Sequence, residues 1–457
     1  MPSFKDLDLS AAMQANLAQL GFSKPTDIQA QALPHCLAGR DVIALAQTGS
    51  GKTAAFGIGL IENLKPKLFA VQGLVMCPTR ELADQVAKAL REMARAQENV
   101  KILTLCGGVS IGPQIGSLAH GAHIVVGTPG RIADHLRKGT LDLKRLTTLV
   151  LDEADRMLDM GFQPAMEEIL GYTPKQRQTL MFSATWPESI RKLSAGFQKD
   201  PVDVRAQAQS GNTDIQELFY EIPAQERTRA IVSLLSEHQP VSCLVFCSMK
   251  QQCDELAFEL GAQGFSALAL HGDLEQRERD SVLVRFANQS CQILVATDVA
   301  ARGLDIKALP LVINAEPARD PEVHTHRIGR TGRAGEAGLA VTLCSPAQGH
   351  KINRLESDRG RPVVWGDTEI LLSIPAQPIV PAMKTLCIAA GRKEKLRPGD
   401  VLGALTGEAG LSGKSVGKID LFDFQCFVAV EAGQAGRALK RLESGRIKGR
   451  NLRVRLV

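Results

Sequence analysis

The stretch Val42-Ile-Ala-Leu-Ala-Gln-Thr-Gly-Ser-Gly-Lys-Thr53 sets a short apolar run before a glycine-rich turn and a helix-like segment. A phosphate-binding loop requires this context, because a turn that enters a helix presents backbone N–H groups to an anion. Gly49 and Gly51 would let the backbone face phosphate oxygens, Lys52 would reach the β- and γ-phosphates, and Thr53 would ligate Mg²⁺. The stretch therefore predicts an α/β lobe that binds a nucleoside triphosphate.

A second apolar run ends in carboxylates, in the sequence Thr148-Leu-Val-Leu-Asp-Glu-Ala-Asp155. If this strand belongs to the same sheet, its end sets Asp152 beside the Mg²⁺ of the nucleotide. Glu153 would then orient or deprotonate the attacking water. An acidic loop after a strand is common in itself, so this motif indicates a nucleotide site only in combination with the phosphate-binding loop.

Short apolar runs alternate with helix-like stretches from about residue 40 to about residue 345. Runs that are apolar throughout are typical of parallel strands buried on both faces, so we predict two doubly wound α/β lobes. The predicted strands are 42–47, 74–77, 102–106, 124–126, 148–151 and 180–183, then 243–247, 267–270, 293–296, 311–314 and 339–344. The small polar stretch 206–214 would link the lobes. Ile374-Pro-Ala-Gln-Pro-Ile-Val-Pro381, with three prolines, predicts a second linker.

The C-terminal segment 383–457 has a different pattern and a different charge. It carries 15 Lys+Arg and 7 Asp+Glu, a net charge of +8, whereas the rest of the chain sums to −3. Its predicted order is strand 385–389, helix 398–406, strands 417–421 and 426–430, helix 434–442 and strand 451–456. This order is compatible with an RNA-recognition-type fold. The concentrated positive charge favours a nucleic-acid partner over a merely solvated surface.

Composition excludes other classes of protein. No run of about 18 apolar residues exists, so we expect no membrane span. The start Met1-Pro-Ser-Phe-Lys-Asp6 has no basic region followed by an apolar one, so we expect no secretory signal and a cytoplasmic location. Most of the ten cysteines lie in apolar runs and no CxxC pair occurs, which predicts buried reduced thiols rather than a zinc site.

The motifs together resemble those of a known family. Asp152-Glu-Ala-Asp155 is the signature of the DEAD-box RNA helicases, and the resemblance extends over residues 1 to about 360. Ala46 matches the form of the phosphate-binding loop that this family uses. Gly21-Phe-Ser-Lys-Pro-Thr-Asp-Ile-Gln29 resembles the family's Q motif. The resemblance implies two tandem RecA-like lobes with parallel sheets, ATP and Mg²⁺ as cofactors, and RNA-dependent ATPase and helicase activity.

The resemblance also implies roles around the nucleotide. Gln29 would hydrogen-bond the adenine, Phe22 would pack nearby, and Phe4 would stack on the base. His326-Arg-Ile-Gly-Arg-Thr-Gly-Arg333 resembles the arginine-finger segment, whose arginines would reach the γ-phosphate when the lobes close. The implied catalytic residues are Lys52, Asp152, Glu153, Arg330 and Arg333. The implied nucleotide ligands are Phe4, Phe22, Gln29, Thr48, Gly49, Ser50, Gly51, Lys52, Thr53 and Asp305, and the metal ligands are Thr53 and Asp152.

Further segments resemble the family's RNA-side elements. In the first lobe these are Pro78-Thr-Arg-Glu-Leu-Ala83, Gly107-Gly108 and Thr128-Pro-Gly-Arg131, while Ser183-Ala-Thr185 resembles the segment that couples hydrolysis to unwinding. In the second lobe they are Val245-Phe-Cys247, His271-Gly-Asp273 and Ala296-Thr-Asp-Val-Ala-Ala-Arg-Gly-Leu-Asp305. The implied RNA contacts in the lobes are Thr79, Arg80, Gly108, Thr128, Arg131 and Thr297.

The C-terminal segment lacks the aromatic pattern of an ordinary RNA-recognition domain. Its first strand has no aromatic residue, and Phe424 and Phe427 lie an odd number of positions apart, on opposite faces of a regular strand. Cations are abundant, and the candidate RNA contacts are Arg392, Lys393, Lys395, Arg397, Lys418, Arg446, Lys448 and Arg450. With Arg397-Pro-Gly-Asp-Val-Leu-Gly-Ala-Leu-Thr406 and Arg446-Ile-Lys-Gly-Arg450, the segment is similar to that of the bacterial DbpA helicases. The similarity implies recognition of a 23S ribosomal RNA hairpin during assembly of the large ribosomal subunit.

We therefore predict a first RecA-like lobe over 1–205, a second over 206–366, a linker over 367–382 and a small α+β domain of the RNA-recognition type over 383–457. The expected partners are structured RNA and the precursor of the large ribosomal subunit, with the protein acting as a monomer. Two alternatives stay open at this point. One is a DNA helicase or translocase, which ATPase stimulation by RNA and by matched DNA would distinguish. The other is a non-unwinding RNA clamp, which a strand-displacement assay would distinguish.

Overall fold

A computed structural model describes residues 3–46, 49–186, 188–205, 215–301, 309–332, 337–407 and 410–457. The chain divides into two compact units, one of residues 1–210 with 303–305 and the other of residues 211–302 with 306–457. The predicted connection 206–214 between the lobes lies outside the described residues.

The first unit is built on one parallel β-sheet. Its strands are β1 (Val42–Leu45), β2 (Gly73–Met76), β3 (Ile102–Leu105), β4 (Ile124–Gly127), β5 (Thr148–Asp152), β6 (Gln178–Ser183) and β7 (Val202–Arg205). Its helices are α1 (Ala11–Gln19), α2 (Asp27–Leu37), α3 (Lys52–Glu62), α4 (Arg80–Met93), α5 (Gly112–Ala119), α6 (Pro129–Arg137), α7 (Ala154–Asp159), α8 (Gln163–Gly171) and α9 (Glu188–Phe197). The strand order β3-β4-β2-β5-β6-β1-β7, with parallel pairing throughout, confirms the predicted doubly wound lobe.

Strand β5 shows why these apolar runs form a central sheet. Val150 packs into one hydrophobic core, and Leu149 and Leu151 pack into another on the opposite face. All three side chains are fully buried, and burial of each stabilises the fold by about 1.5–3 kcal/mol. Because both faces of the strand are covered, no position along it points to solvent. This explains why the run is apolar throughout.

The second unit contains a second parallel sheet. Its strands are β8 (Ile215–Glu221), β9 (Cys243–Cys247), β10 (Ala267–Leu270), β11 (Ile293–Thr297), β12 (Leu311–Asn314) and β13 (Gly338–Cys344). Its helices are α10 (Arg227–His238), α11 (Lys250–Ala262), α12 (Gln276–Ala287), α13 (Asp298–Ala301), α14 (Pro321–Ile328), α15 (Gly349–Arg359) and α16 (Thr368–Ser373). The strand order is β10-β11-β9-β12-β13-β8. This sheet confirms the second predicted lobe.

The C-terminal part of the second unit is a small antiparallel sheet with two helices. The elements are β14 (Met383–Ile388), α17 (Pro398–Thr406), β15 (Val416–Leu421), β16 (Cys426–Glu431), α18 (Ala435–Ser444) and β17 (Val454–Leu456). The strand order is β15-β16-β14-β17, and α17 and α18 supply buried residues that pack with one face of the sheet. The predicted order of elements and the RNA-recognition-type fold are confirmed, although β17 begins three residues later than predicted.

The other face of the small sheet packs against helix α12 of the second lobe. Phe427 and Cys387 from the sheet form a buried cluster with Val284 from α12. Beside them, Thr385 Oγ1 accepts from Asn288 Nδ2 at 2.9 Å and lies 2.6 Å from Ser290 Oγ. Ordinary RNA-recognition domains use this sheet face to stack bases. Here the face is a docking surface, and Phe427, which is 1% exposed, is a packing residue.

The predicted linker 367–382 is ordered along the second lobe. It contains α16, and Ile379 is buried in the core of the lobe. Gln377 N donates to Ser236 Oγ at 2.9 Å, and its carbonyl accepts from Gln239 Nε2 at 3.0 Å. The proline-rich stretch therefore fixes the path of the chain instead of forming a free tether. The residues at which the predicted domains begin and end stay predictions.

We expect Thr385→Val to weaken the docking of the small domain without unfolding it. Valine keeps the shape of threonine but removes the hydroxyl, so the buried polar groups of Asn288 and Ser290 lose a partner at a cost of about 1–3 kcal/mol. Hydrogen exchange should become faster in α12 while the strand pair β14–β16 stays protected. Thr406→Val is the control, because that hydroxyl donates to the Leu402 carbonyl of its own helix, away from α12. Unchanged exchange in α12 would contradict the docking contact.

All ten cysteines are buried and free of disulfides, as predicted. Burial raises the pKa of Cys36 and of Cys426 to about 12, so both thiols stay protonated at neutral pH. Among the described residues, no helix has the length and apolar character needed to cross a bilayer.

Candidate nucleotide and RNA sites

Three neighbouring strands of the first lobe position the predicted nucleotide site. The phosphate-binding loop follows β1, Asp152 ends β5, and Ser183 ends β6, which lies between them. Because the strands are parallel, their carboxyl ends meet at one edge of the sheet. The topology thus brings together two motifs that are about 100 residues apart in the sequence.

In the described part of the phosphate-binding loop, two glycines adopt left-handed backbone conformations. Gly49 and Gly51 have φ values of 87° and 94°, in the left-handed region that favours glycine. Lys52 begins helix α3, is 6% exposed, and donates from Nζ to the Ala46 carbonyl at 3.0 Å. Thr53 follows it in the first turn of the helix, whose N-terminus favours an anion. Thr48, a predicted phosphate ligand, lies outside the described residues.

Gln29 and Thr26 hold the loop from the side of helix α2. Gln29 Nε2 donates to the Gly51 carbonyl at 3.1 Å, and Thr26 Oγ1 donates to the Ser50 carbonyl at 2.8 Å. A Cβ at Gly51 would lie 2.4 Å from Gln29 Nε2, so this contact requires glycine. Gln29 therefore links the Q motif to the phosphate-binding loop, and its predicted contact with adenine stays a prediction.

The two aromatic residues predicted to lie at the base are in contact with each other. The rings of Phe4 and Phe22 pack edge to face, with their centroids 6.2 Å apart and an interplanar angle of 86°. Phe4 is buried and belongs to the core of the first lobe. The structure thus brings both residues together, and stacking of Phe4 on a base stays a prediction.

Asp152 is a buried carboxylate with an unsatisfied oxygen. It is 3% exposed, and its Oδ1 has no hydrogen-bond partner. Burial raises the pKa of Asp152 to about 7, and the charges of Lys52 and Arg156 oppose this rise. A buried carboxylate oxygen that lacks a donor fits a divalent cation, since oxygen ligands suit Mg²⁺. Asp152 and Thr53 therefore fit the predicted metal site.

Glu153 is held in an unusual conformation beside Asp152. Its φ and ψ are 55° and 52°, a left-handed geometry that costs a non-glycine residue about 1–3 kcal/mol. Its Oε2 accepts from Arg156 Nη1 at 2.6 Å, and both side chains are buried. The ion pair orients the carboxylate at the strand end. Arg156 was not among the predicted site residues, although the i,i+3 spacing of opposite charges is a signal for such a pair.

Asp155 joins the acidic motif to Ser183-Ala-Thr185. Its Oδ2 accepts from Ala184 N at 3.1 Å, from Thr185 N at 2.9 Å and from Thr185 Oγ1 at 3.0 Å. Burial alone would raise the pKa of Asp155, but Lys52, Arg156 and the hydrogen bonds from Thr185 lower it below its usual value. Asp155 was predicted only as part of the family signature, without a role of its own. Asp155 is two residues from Glu153 in the chain. Its three hydrogen bonds therefore link the position of Ala184 and Thr185 to that of Glu153.

The predicted RNA contacts of the first lobe follow the other half of its sheet. Thr79 follows β2, Gly108 follows β3 and Thr128 follows β4, which are neighbouring strands. Thr79 Oγ1 accepts from Leu82 N at 3.2 Å and caps helix α4. Gly108 has a φ of 74°, and a Cβ there would overlap the guanidinium of Arg80. The structure therefore brings these four residues to one region, separate from the strands that carry the nucleotide motifs.

Arg131 is connected to the loop after β3 through Gln114. Gln114 was not among the predicted site residues. Arg131 Nη1 donates to Gln114 Oε1 at 3.0 Å, and Nη2 donates to the Val109 carbonyl at 2.8 Å. Gln114 Nε2 in turn donates to the Cys106 carbonyl at 2.9 Å. These bonds hold the loop that contains Gly107 and Gly108 against helix α6. An isolated glutamine carries no motif signal, so its role is visible only in three dimensions.

In the second lobe, the predicted RNA-side residues also lie at neighbouring strand ends. Cys247 ends β9, His271 follows β10, and Thr297 ends β11. Thr297 is 7% exposed, and its Oγ1 accepts from Ala300 N at 3.4 Å. His271 Nε2 lies 2.9 Å from Asp254 Oδ1. The order β10-β11-β9 therefore gathers three segments that are separate in the sequence.

The arginine-rich segment contains a structural arginine as well as the predicted finger. Arg327 is 2% exposed and makes a two-pronged ion pair with Asp298, with distances of 2.6 and 2.8 Å. Its Cζ also lies 5.2 Å from the ring centroid of Phe246. Arg330 is 3% exposed, and its carbonyl accepts from Leu309 N at 3.0 Å. Arg333 and Asp305 lie outside the described residues, and the delivery of Arg330 to the nucleotide stays a prediction.

Seven of the eight cations predicted to bind RNA in the small domain lie at one end of its sheet. All seven are exposed; they are Arg392, Lys393, Lys395 and Arg397 after β14, and Arg446, Lys448 and Arg450 before β17. The carboxyl end of β14 pairs with the start of β17, which places both loops together. Lys418 instead lies within the edge strand β15, where its Nζ is 3.0 Å from Asp420.

Family models match three parts of the chain. The DEAD/DEAH box helicase model matches residues 26–193, the helicase conserved C-terminal domain matches residues 226–335, and the DbpA RNA binding domain matches residues 385–456. The first two contain the nucleotide and RNA motifs described above, and the third contains the small sheet with the seven predicted RNA contacts at one end.

Similar proteins agree with this division. The chain is 52% identical over its full length to the whole of the ATP-dependent RNA helicase DbpA of Escherichia coli strain K12. It is 44% identical to the DEAD-box ATP-dependent RNA helicase CshA of Geobacillus kaustophilus, over 78% of this chain and 76% of that one. A structure of S. cerevisiae Dbp5 bound to RNA and ADP BeF3 matches with a TM-score of 0.73 and 28% identity, covering 82% of this chain and 100% of that one. The chain therefore belongs to the DEAD-box ATP-dependent RNA helicases, with the RNA-binding domain of the DbpA type.

Proposed function

We propose that this helicase remodels a structured segment of 23S ribosomal RNA during assembly of the large ribosomal subunit. The observation that carries the proposal is the group of exposed cations on a DbpA-type domain that is docked on the second lobe. A domain of this kind would hold one RNA element while the lobes act on a neighbouring duplex. Such work belongs in the cytoplasm, and one copy of the chain contains both parts that it needs.

For ATP hydrolysis, we propose that residues of the first lobe hold the nucleotide and its water. Lys52 would stabilise the charge of the transferred phosphoryl group, and Mg²⁺ held by Thr53 and Asp152 would neutralise phosphate oxygens. Arg156 occupies Oε2 of Glu153, so we assign the attacking water to Oε1 of the same carboxylate. In this assignment, Glu153 accepts the proton of the water as attack begins.

For unwinding, we propose that RNA and ATP favour one another's binding through the closed form of the enzyme. If both ligands prefer that form, linkage requires that each raises the affinity for the other. Asp155 would transmit part of this coupling, because its hydrogen bonds join the acidic motif to Ala184 and Thr185. The RNA contacts proposed in the lobes would be made to phosphates and 2′-hydroxyls, so the lobes would not select a sequence.

We expect a chain that ends at Ala382 to keep RNA-stimulated ATPase activity but to lose its preference for ribosomal RNA. This end point keeps Ile379 in the core of the lobe. ATPase and strand-displacement activity should be measured with a 23S ribosomal RNA fragment and with a scrambled RNA of equal length. Truncation at Ala382 also exposes the surface of the second lobe around Val284, on which the small domain packs. Full-length protein with Val284→Ser tests whether loss of this contact alone changes the activity. If the shortened chain discriminates between the two RNAs as well as the full chain does, selectivity lies in the lobes.

A further inference from the structure

Phe424 is an exposed aromatic residue that does not contribute to a hydrophobic core of the described residues. It lies in the turn between β15 and β16, which the bond from Phe422 N to the Gln425 carbonyl at 2.8 Å closes around Asp423 and Phe424. Such turns favour small and polar residues, yet the Phe424 side chain is 58% exposed. Its neighbours are used by the fold, since the rings of Phe422 and Phe427 pack edge to face at 5.7 Å.

Backbone contacts lock this turn to the loop that follows β14. Arg392 N donates to the Phe422 carbonyl at 2.8 Å, and Lys393 N donates to the Asp423 carbonyl at 2.9 Å. A Cβ at Gly391 would lie 2.2 Å from the Phe422 carbonyl oxygen, so the two loops approach as closely as glycine allows. Phe424 is therefore fixed at the same end of the sheet as the cations of this loop.

The third loop at this end is joined to the first. Lys448 Nζ donates to the Lys395 carbonyl at 2.7 Å. Two acidic residues nearby accept hydrogen bonds from the backbone of this loop. Glu394 accepts from Gly391 N at 2.7 Å, and Asp400 accepts from Arg397 N at 2.9 Å. Asp423 is exposed in the turn itself. The end of the sheet thus combines the seven predicted cations and three carboxylates with the exposed ring of Phe424.

We propose that Phe424 stacks on an unpaired base of the bound RNA while Arg392 and Lys393 contact the phosphates that flank it. The proposal rests on the RNA-binding function proposed above and assigns a nucleotide to one residue of that site. An exposed aromatic side chain beside a cationic groove is the combination with which proteins hold single-stranded nucleotides. The ligand class is an unpaired nucleotide in a hairpin loop or at a junction, since a base inside a duplex does not present its face.

The sheet face cannot supply this stacking, because Phe427 and Cys387 pack against Val284 of the second lobe. A protein partner would be the other occupant of an exposed aromatic residue. The surrounding charge favours RNA, because seven cations from two loops lie at the same end of the sheet.

The test uses the full-length protein without nucleotide and two RNA probes. One probe is the 23S ribosomal RNA hairpin with its unpaired loop, and the other is a blunt duplex with the same stem sequence. We expect Phe424→Ala to weaken binding of the hairpin by about 5-fold to 100-fold, with little change for the duplex. Phe424→Trp should restore binding. Phe258→Ala is the matched control, because Phe258 is an exposed phenylalanine, 78% exposed, on helix α11 of the second lobe.

The salt dependence separates stacking from charge. Phe424→Ala should leave the slope of log affinity against log salt unchanged, whereas Lys393→Ala should reduce it by about 1. Equal hairpin affinity of Phe424→Ala and wild-type protein would overturn the proposal and leave Phe424 to a protein partner. Equal weakening of hairpin and duplex would also overturn it. If the wild-type protein fails to prefer the hairpin, the proposed function itself fails, and the stacking site fails with it.

Discussion

Replacement of Glu153 by glutamine is expected to abolish RNA-stimulated ATP hydrolysis while ATP and RNA still bind. Glutamine has the size of glutamate, and its amide oxygen can still accept from Arg156, so the buried contact at the strand end survives. The amide cannot take a proton from water. Loss of a general base lowers the rate by about 10²–10⁴-fold, and the enzyme should accumulate in the form that holds both ligands.

The measurement is steady-state ATPase activity under saturating RNA, together with the dissociation rate of labelled RNA in the presence of ATP. We expect the first to fall and the second to become slower than in the wild-type protein. Glu168→Gln is the control, since Glu168 pairs with Arg137 on helix α6 at 2.6 Å and belongs to no nucleotide motif. Turnover of the Glu153 variant near the wild-type rate would rule out this residue as the base.

Replacement of Arg330 by alanine is expected to lower kcat by about 10³-fold or more, by analogy with arginine fingers. A fall of this size corresponds to about 4 kcal/mol of transition-state stabilisation. ATP affinity in the absence of RNA should change little, because Lys52, Thr53 and the other proposed phosphate ligands lie in the first lobe. Lys52→Ala should instead lose that affinity.

Arg327→Ala distinguishes a catalytic effect from a structural one in the same arginine-rich segment. Arg327 is buried against Asp298 and Phe246, and removal of one partner of a buried pair costs about 3–5 kcal/mol of stability. This variant should therefore unfold at a lower denaturant concentration. Arg330 is also buried, at 3% exposed, so the unfolding midpoint of the Arg330 variant is measured in the same way and compared with its loss of kcat. If Arg330→Ala weakens RNA-free ATP binding as much as Lys52→Ala does, Arg330 is a ground-state ligand and the assignment is wrong.

The central strands of both parallel sheets were predictable because burial on both faces leaves an unbroken apolar run. Of the edge strands, β3 and β10 were predicted, but β7 and β8 were not. In β7, Val202-Asp-Val-Arg205, polar residues alternate with apolar ones, and four residues of this kind resemble a loop. Strand β8 is likewise half-exposed along most of its length. An edge strand lacks one neighbour, so its sequence carries a weaker hydrophobic signal.

The docking of the small domain was not predictable from the sequence. Strand β14 reads Met383-Lys-Thr-Leu-Cys-Ile388, in which Thr385 and Cys387 alternate with Leu386 and Ile388. That pattern is compatible with a sheet that has one covered face and one exposed face. The partner residue Val284 lies about 100 positions earlier in the chain, and nothing local marks the pair. Three prolines predicted a linker, and its contacts with the second lobe through Gln377 and Ile379 are long-range in the sequence.

The motif residues of the candidate site were identified by their spacing and their resemblance to a family, and the structure adds their partners. Gln29 contacts the Gly51 carbonyl, and Asp155 contacts Thr185. Neither contact follows from spacing, because each joins segments that only the folded sheet brings together. Gln114 was missed for the same reason, whereas Arg156 pairs with Glu153 at a local i,i+3 spacing and could have been recognised from the sequence.

The docked face of the small sheet limits how this domain can be exchanged between proteins. A chimera that carries only residues 383–457 would expose Phe427, Cys387 and Thr385 to water, since their partners belong to the second lobe. A graft onto another helicase would keep the exposed cations at one end of its sheet but would lack the contacts that fix its orientation on the second lobe here. The second lobe contributes three residues to this contact, Val284, Asn288 and Ser290. A functional chimera should therefore include these three residues in the host lobe.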